Sequence, residues 1–139
     1  MLTLKGKENI PLDMGTAVIT IHSMEQLANS FQPILNYFLS QKPGIVFHLE
    51  PILELYDPED PFDILAIQYH KKKNYLNGYL PALEELEQKK LIKIIQKHRF
   101  YSVIAHNPHE RSGTRIIRPK CLWEVQIVHK SNPFYDRPH

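Results

Sequence analysis

The chain has 139 residues, of which 42% are hydrophobic and 23% are charged, proportions that are close to globular averages and argue against extensive disorder. The 17 Lys and Arg residues against 15 Asp and Glu leave a formal net charge of +2, which is too small to predict a nucleic-acid or membrane-surface partner. Cys121 is the one cysteine, and no apolar run approaches the roughly 18 residues of a membrane span, so a cytoplasmic location is expected.

The first predicted strand covers residues 17–22, after a leading segment, 1–16, that shows no clear hydrophobic period. Ser23 follows the strand in an N-cap position, ahead of apolar residues at helical spacing. These apolar residues are Met24, Leu27, Phe31, Leu35 and Phe38. Pro33 lies within the pattern and predicts either a kink or a restart of the helix.

The second predicted strand covers residues 45–50, where a short apolar run breaks into His48 and Glu50 and is stopped by Pro51. The connection from the first strand is long enough for a right-handed crossover, so the two strands are predicted to be parallel neighbours. Ligands of open α/β sheets bind at the carboxyl ends of such strands. The sequence therefore predicts a ligand site where these two strands end.

The longest helical signal follows a segment rich in helix-start residues, 57–61. Apolar residues then recur at helical spacing, but Gly78 and Pro81 interrupt them. The pattern fits two helices, about 61–76 and 80–90, and it also fits one bent helix.

The C-terminal part of the chain carries further strand patterns. Residues 91–97 are rich in β-branched side chains and predict a third strand. Residues 106–113 have the composition of a loop, and 114–117 begin a strand pattern that Pro119 closes, so an antiparallel neighbour is predicted. Beyond it, apolar and polar residues alternate over 123–127 and predict an extra edge strand.

This order of elements resembles the C-terminal half of a class I S-adenosylmethionine-dependent methyltransferase, whose sheet ends in an antiparallel hairpin. Four short runs strengthen the likeness to a bacterial subgroup that modifies small molecules or polysaccharides: 22–27 (HSMEQL), 48–51 (HLEP), 54–57 (ELYD) and 69–76 (YHKKKNYL). The resemblance covers about residues 14–120. It implies a partial Rossmann-like α/β sheet with crossover helices over residues 17–120, followed by an extra strand and tail.

The resemblance also implies S-adenosylmethionine as the cofactor and a small molecule as the methyl acceptor. Enzymes of this family hold the cofactor with a glycine-rich turn and a carboxylate in their N-terminal half, and neither feature is visible here. The five glycines are at least nine positions apart, so no clustered turn can approach a ligand. Residues 17–120 are therefore expected to form an incomplete domain, with 121–139 as the extra strand and tail, and with the cofactor-binding residues unknown.

Candidate site residues lie at the strand ends and on the long helical segment. His48 and Glu50 are the candidates for a catalytic base or orienting group, because each lies at the end of the second strand. By resemblance, the acceptor side of the pocket is lined by His22, Ser23, Glu25, Tyr69 and His70. Structural roles remain open for several of these: Ser23 as a helix cap, Glu25 as a helix-terminus charge, and His48 with Glu50 as a buried hydrogen-bonded pair. Tyr69, together with Tyr75 and Tyr79, is expected to be a packing residue with a hydrated hydroxyl.

Two alternatives come from other functional classes. Metal binding could use His48, Glu50 or His70 with His106 and His109, but the spacing fixes no third ligand and no metal site is predicted. The second alternative is a non-enzymatic interaction module that forms a dimer or pairs with a partner chain through its first strand, because an unpaired sheet edge recruits another strand. The identity of the acceptor leaves no recognisable mark in the residues.

Overall fold

A mixed four-stranded sheet organises the part of the chain that the computed structural model describes, residues 10–102, 120–133 and 135–136. The strands are β1 (Ala17–Ile21), β2 (Ile45–Glu50), β3 (Ile92–Ser102) and β4 (Lys120–His129). The helices are α1 (Gln32–Gln41), α2 (Pro61–Lys73) and α3 (Tyr79–Gln88), with short 3₁₀ turns at Glu25–Leu27 and Leu53–Leu55. The predicted α/β class and partial Rossmann-like sheet are confirmed.

The first two strands are parallel neighbours, as the apolar runs predicted. Ile19 lies beside Phe47 and Ile21 beside Leu49, and the N–H of His22 donates to the carbonyl of Leu49 at 3.2 Å. The strand order is β1-β2-β4-β3, and β4 is antiparallel to both of its neighbours. It follows that β1, β2 and β3 run in the same direction and that β3 and β4 form an antiparallel pair.

The predicted edge position of residues 123–127 is wrong. These residues belong to β4, which lies between β2 and β3 and buries Val125 and Ile127. Alternation of apolar and polar residues identifies a strand, but its neighbours are set by long-range pairing that the pattern does not contain. The predicted strand at 114–117 and the loop at 106–113 lie outside the described residues.

The predicted helix after Ser23 starts eight residues later than expected, at Gln32 instead of Met24. Pro33 explains the delay, because a helix running through it would place the proline ring against the carbonyl of Asn29. In the first turn of α1 the missing N–H costs nothing. Pro33 thus marks a start of the helix, and Ser23 is not an α-helix cap.

The long helical signal resolves into the two helices α2 and α3, which confirms the first of the two predicted forms. Asp60 caps α2, since its Oδ1 accepts hydrogen bonds from the N–H groups of Phe62 at 2.8 Å and Asp63 at 3.2 Å. Gly78 separates the helices with a φ of 74°, a left-handed conformation that glycine adopts without steric cost.

The core lies on one face of the sheet, where α1 and α3 pack against inward side chains of β2, β3 and β4. The opposite face is less covered: Ile19 and Ile21 of β1 are 61% and 56% exposed. Among the described residues, no helix has the length and apolar character needed to cross a membrane. The core therefore covers one face of the sheet, and the strand ends that carry the candidate residues lie at its edge.

Candidate functional site

Glu50 fixes the backbone that follows β1. Its side chain is fully buried, and Oε1 accepts hydrogen bonds from the N–H of Ser23 (3.1 Å), the hydroxyl of Ser23 (3.1 Å) and the N–H of Met24 (3.2 Å). The other oxygen, Oε2, makes no hydrogen bond with any residue that the structure describes. Glu50 and Ser23 thus form a clamp that joins the ends of the two parallel strands.

His48 is held inside the core by two hydrogen bonds. Its exposed fraction is 0%, Nδ1 lies 2.7 Å from the hydroxyl of Thr20, and Nε2 lies 2.8 Å from the hydroxyl of Tyr79. Burial lowers the pKa of His48 to about 3, so the ring is neutral at pH 7. Both nitrogens are therefore engaged inside the protein, by Thr20 and Tyr79 and not by Glu50, and the catalytic role of His48 stays a prediction.

Tyr79 completes this buried group. It packs in the core, as expected, but its hydroxyl bonds to His48 there instead of facing solvent. Burial, and secondarily the carboxylate of Glu50, raises the pKa of Tyr79, so the phenol stays protonated. The sequence offered no signal for the pair, because Tyr79 and His48 are separated by 31 positions and lie on different elements.

His22 and Glu25 form a contact at the outer rim of this edge. Nδ1 of His22 lies 3.1 Å from Oε2 of Glu25, and the two side chains are 31% and 14% exposed. His22 has a φ of 48°, a left-handed conformation that is uncommon for a residue other than glycine. His22 and Glu25, two of the three residues predicted to bind substrate after β1, are therefore in contact, and both are partly exposed.

Aromatic residues of α2 and the following segment lie near the same rim. The ring of Tyr75 packs nearly perpendicular to those of Tyr69 and His70, with centroid distances of 6.0 and 5.6 Å. Burial raises the pKa of Tyr75, and a hydrogen bond with Tyr69 and the carboxylate of Glu25 add to the effect. The electrostatic influence of Glu25 on Tyr75 connects the predicted residues of α2 with those after β1.

His70 has a different environment from His22. It is buried, and its Nε2 donates to the carbonyl of Leu76 at 2.6 Å. Burial lowers the pKa of His70, although that hydrogen bond and the carboxylates of Glu54 and Glu25 oppose the effect. His70 therefore orients the segment after α2, while Tyr69 is exposed at the rim.

Tyr75 is the residue of this rim that sequence reasoning assigned to packing alone. The N–H of Leu76, its neighbour, donates to the carbonyl of Glu25 at 2.7 Å, which fixes Tyr75 next to the segment after β1. Tyr75 belongs to the run at 69–76 that carries the family resemblance, and this position could have indicated a role at the site. Aromatic residues near helical spacing are, however, ordinarily core residues.

The described residues do not include a group of three His, Cys, Asp or Glu side chains placed to hold a metal ion. His106 and His109, which completed the metal alternative, lie outside the described residues.

Two of the described glycines, Gly44 and Gly78, have structural roles in this fold. A Cβ on Gly44 would lie 2.2 Å from the carbonyl oxygen of Met14, so the space beside this glycine is filled by the chain itself. Gly78 serves the start of α3. The cofactor-binding turn implied by the resemblance is thus not formed by the described residues.

The fold and the rim together define an α/β protein with a polar and aromatic cluster at the carboxyl ends of two parallel strands. No protein-family model, curated protein or solved structure matches the chain.

Proposed function

We propose that the chain is the acceptor-binding half of an S-adenosylmethionine-dependent methyltransferase that acts on a small molecule. The observation that carries the proposal is the position of two neighbouring pairs, His22 with Glu25 and Tyr69 with Tyr75, at the carboxyl edge of the parallel strands β1 and β2. The hydrogen bond from the N–H of Leu76 to the carbonyl of Glu25 holds the two pairs next to each other, and this is the edge at which open α/β sheets bind ligands. The antiparallel pair of β3 and β4 that closes the sheet supports the same reading.

Methyl transfer is a displacement in line with the bond that breaks, so its rate depends on holding the acceptor close to the methyl carbon and aligned with it. The rim offers hydroxyl, imidazole and carboxylate groups for this purpose. The clamp between Glu50 and Ser23 keeps the segment after β1 in one conformation. Because the glycines of the chain are widely spaced and form no glycine-rich turn, the cofactor-binding half is proposed to be supplied by other residues.

We expect the isolated chain to show no micromolar affinity for S-adenosylhomocysteine by isothermal titration calorimetry. A fusion that joins its N-terminus to the cofactor-binding half of an S-adenosylmethionine-dependent methyltransferase is expected to bind that ligand in the micromolar range. The matched control is the cofactor-binding half alone, which should bind more weakly than the fusion. Micromolar binding by the isolated chain, or a folded fusion that gains no affinity, would contradict the proposal.

The second candidate function is an interaction module that pairs with a partner chain or a second copy. It is favoured by β1, an edge strand whose Ile19 and Ile21 are 61% and 56% exposed. Parallel strands are normally covered on both faces, and an apolar strand edge is a template for pairing. The same surface would be covered by the missing half in the first candidate.

If the chain is an interaction module, light scattering will show that it purifies as a dimer or hetero-complex. Ile21→Lys is then expected to shift it toward the monomer. Ile10→Lys is the matched control, because Ile10 is equally exposed but lies outside the sheet. A stable monomer at high micromolar concentration would reject self-association of this kind.

A further inference from the structure

His22 differs from the other histidines at this edge in having one nitrogen held and one available. Nδ1 faces the carboxylate of Glu25 at 3.1 Å, whereas Nε2 makes no hydrogen bond with the part of the chain that the structure describes. The side chain is 31% exposed, while His48 and His70 are buried with a ring nitrogen bonded inside the protein. Of these three, His22 is the one whose imidazole can meet a ligand.

The backbone around His22 is held in an uncommon conformation. His22 has a φ of 48°, and the residues on both sides of it are fixed, since its own N–H bonds to Leu49 and the next two N–H groups bond to Glu50. Uncommon backbone conformations persist where the surroundings determine them, and they cluster at functional sites. The clamp therefore serves to aim the His22 side chain.

The contact with Glu25 selects the state of the ring. A carboxylate accepts a hydrogen bond, so it favours the neutral tautomer that carries its proton on Nδ1 and leaves a lone pair on Nε2. When Nε2 takes up a proton, the same carboxylate stabilises the positive charge of the ring. The pair of His22 and Glu25, which we call the rim dyad, has the arrangement of an oriented general base.

We propose that Nε2 of His22 is the proton acceptor of the site, that Glu25 is its positioning residue, and that the methyl acceptor is therefore a hydroxyl compound. This inference rests on the proposed function. A base is needed where the acceptor proton must leave, as for a hydroxyl group, whereas a neutral amine already carries a free lone pair. The acceptor O–H bond breaks, an N–H bond forms at Nε2, the electron pair stays on the acceptor oxygen as the nucleophile, and the proton later leaves Nε2 to solvent.

Tautomer measurement on the isolated chain tests the dyad without any cofactor. Long-range ¹H–¹⁵N correlation spectra at about pH 8, where histidine side chains are ordinarily neutral, should show the His22 proton on Nδ1. Glu25→Gln should shift the ring toward the Nε2–H tautomer, while Glu59→Gln, an exposed carboxylate not bonded to His22, should leave it unchanged. An Nε2–H ring in the unmodified chain, or no response to Glu25→Gln, would overturn the proposal.

Transfer from labelled S-adenosylmethionine by the fusion tests the acceptor class, with monosaccharides, phenols and the matching amino sugars as probes. His22→Asn, which suits a left-handed backbone, should lower transfer to hydroxyl groups by about 10²-fold or more, with affinity for S-adenosylhomocysteine changed less than about twofold. Hydroxyl transfer that survives His22→Asn, or transfer to amines alone, would overturn the inference and leave the proposed function standing. A fusion that binds S-adenosylhomocysteine but methylates no probe would count against the proposed function, whereas the tautomer result judges the dyad separately.

Discussion

Replacing Arg99 by alanine is expected to lower the free energy of unfolding by about 3–5 kcal/mol, the range for breaking a buried ion pair from one side. Arg99 binds Asp63 through both terminal nitrogens, with Nη1 at 2.9 Å from Oδ2 and Nη2 bonded to Oδ1. Asp63 is 0% exposed. Without Arg99 its charge stays buried and loses its cation, and this contact between α2 and β3 is lost.

Urea unfolding followed by circular dichroism measures this change, with Lys97→Ala as the matched control. Lys97 lies on the same strand and pairs with Glu84 at 2.8 Å, but the two side chains are 36% and 44% exposed. Because exposed pairs contribute little, the control should lose less than about 1 kcal/mol. Equal losses in the two variants would show that Arg99 does not compensate a buried charge.

The second large effect is a loss of stability in acid that originates at His48. Burial holds its pKa at about 3 in the folded chain, whereas an unfolded histidine titrates near about 6.5. Between these values the unfolded chain binds one proton more than the folded chain, so the free energy of unfolding falls as the pH falls. The slope from this group approaches about 1.4 kcal/mol per pH unit, and its full contribution is present above the unfolded pKa.

Urea unfolding at several pH values between about 7.5 and 5 tests this slope, in a range above most carboxylate titrations. His48→Gln should flatten the dependence relative to that of the unmodified chain. Burial also lowers the pKa values of His70 and His129, so some slope will remain in the His48 variant. Equal slopes in His48→Gln and the unmodified chain would refute the assignment.

The fold could be predicted where burial leaves a local mark in the sequence. The runs at 17–22 and 45–50 are apolar and then turn polar, and from these features the parallel pair and the edge that carries the candidate residues could be predicted. The interior place of β4 could not be predicted, because its alternation is equally compatible with an edge strand and only its pairing with β2 and β3 decides. Pro33 indicated where α1 starts, but the helical spacing of the apolar residues on both sides of it was the stronger pattern and predicted an earlier start.

The location of the candidate site could be predicted from the sequence, but the roles of most of its residues could not. Residues expected after β1, His22 and Glu25, do meet, and Tyr69 lies near them through Tyr75. The burial of His48 was not predictable, because it depends on Thr20 and Tyr79, which approach from other elements. An imidazole at a strand end has the same sequence signature whether its nitrogens face a ligand or the core.

Strand β1 pairs on one side only and has one face that is largely uncovered, so its amide protons should exchange with solvent sooner than those of β2. The loop that bears the proposed base follows this strand. If a partner covers Ile19 and Ile21, as in the second candidate function, it is expected to slow the opening of β1 and to hold His22 more firmly, so that assembly at the back of the sheet would be linked to the proposed reactivity at its rim.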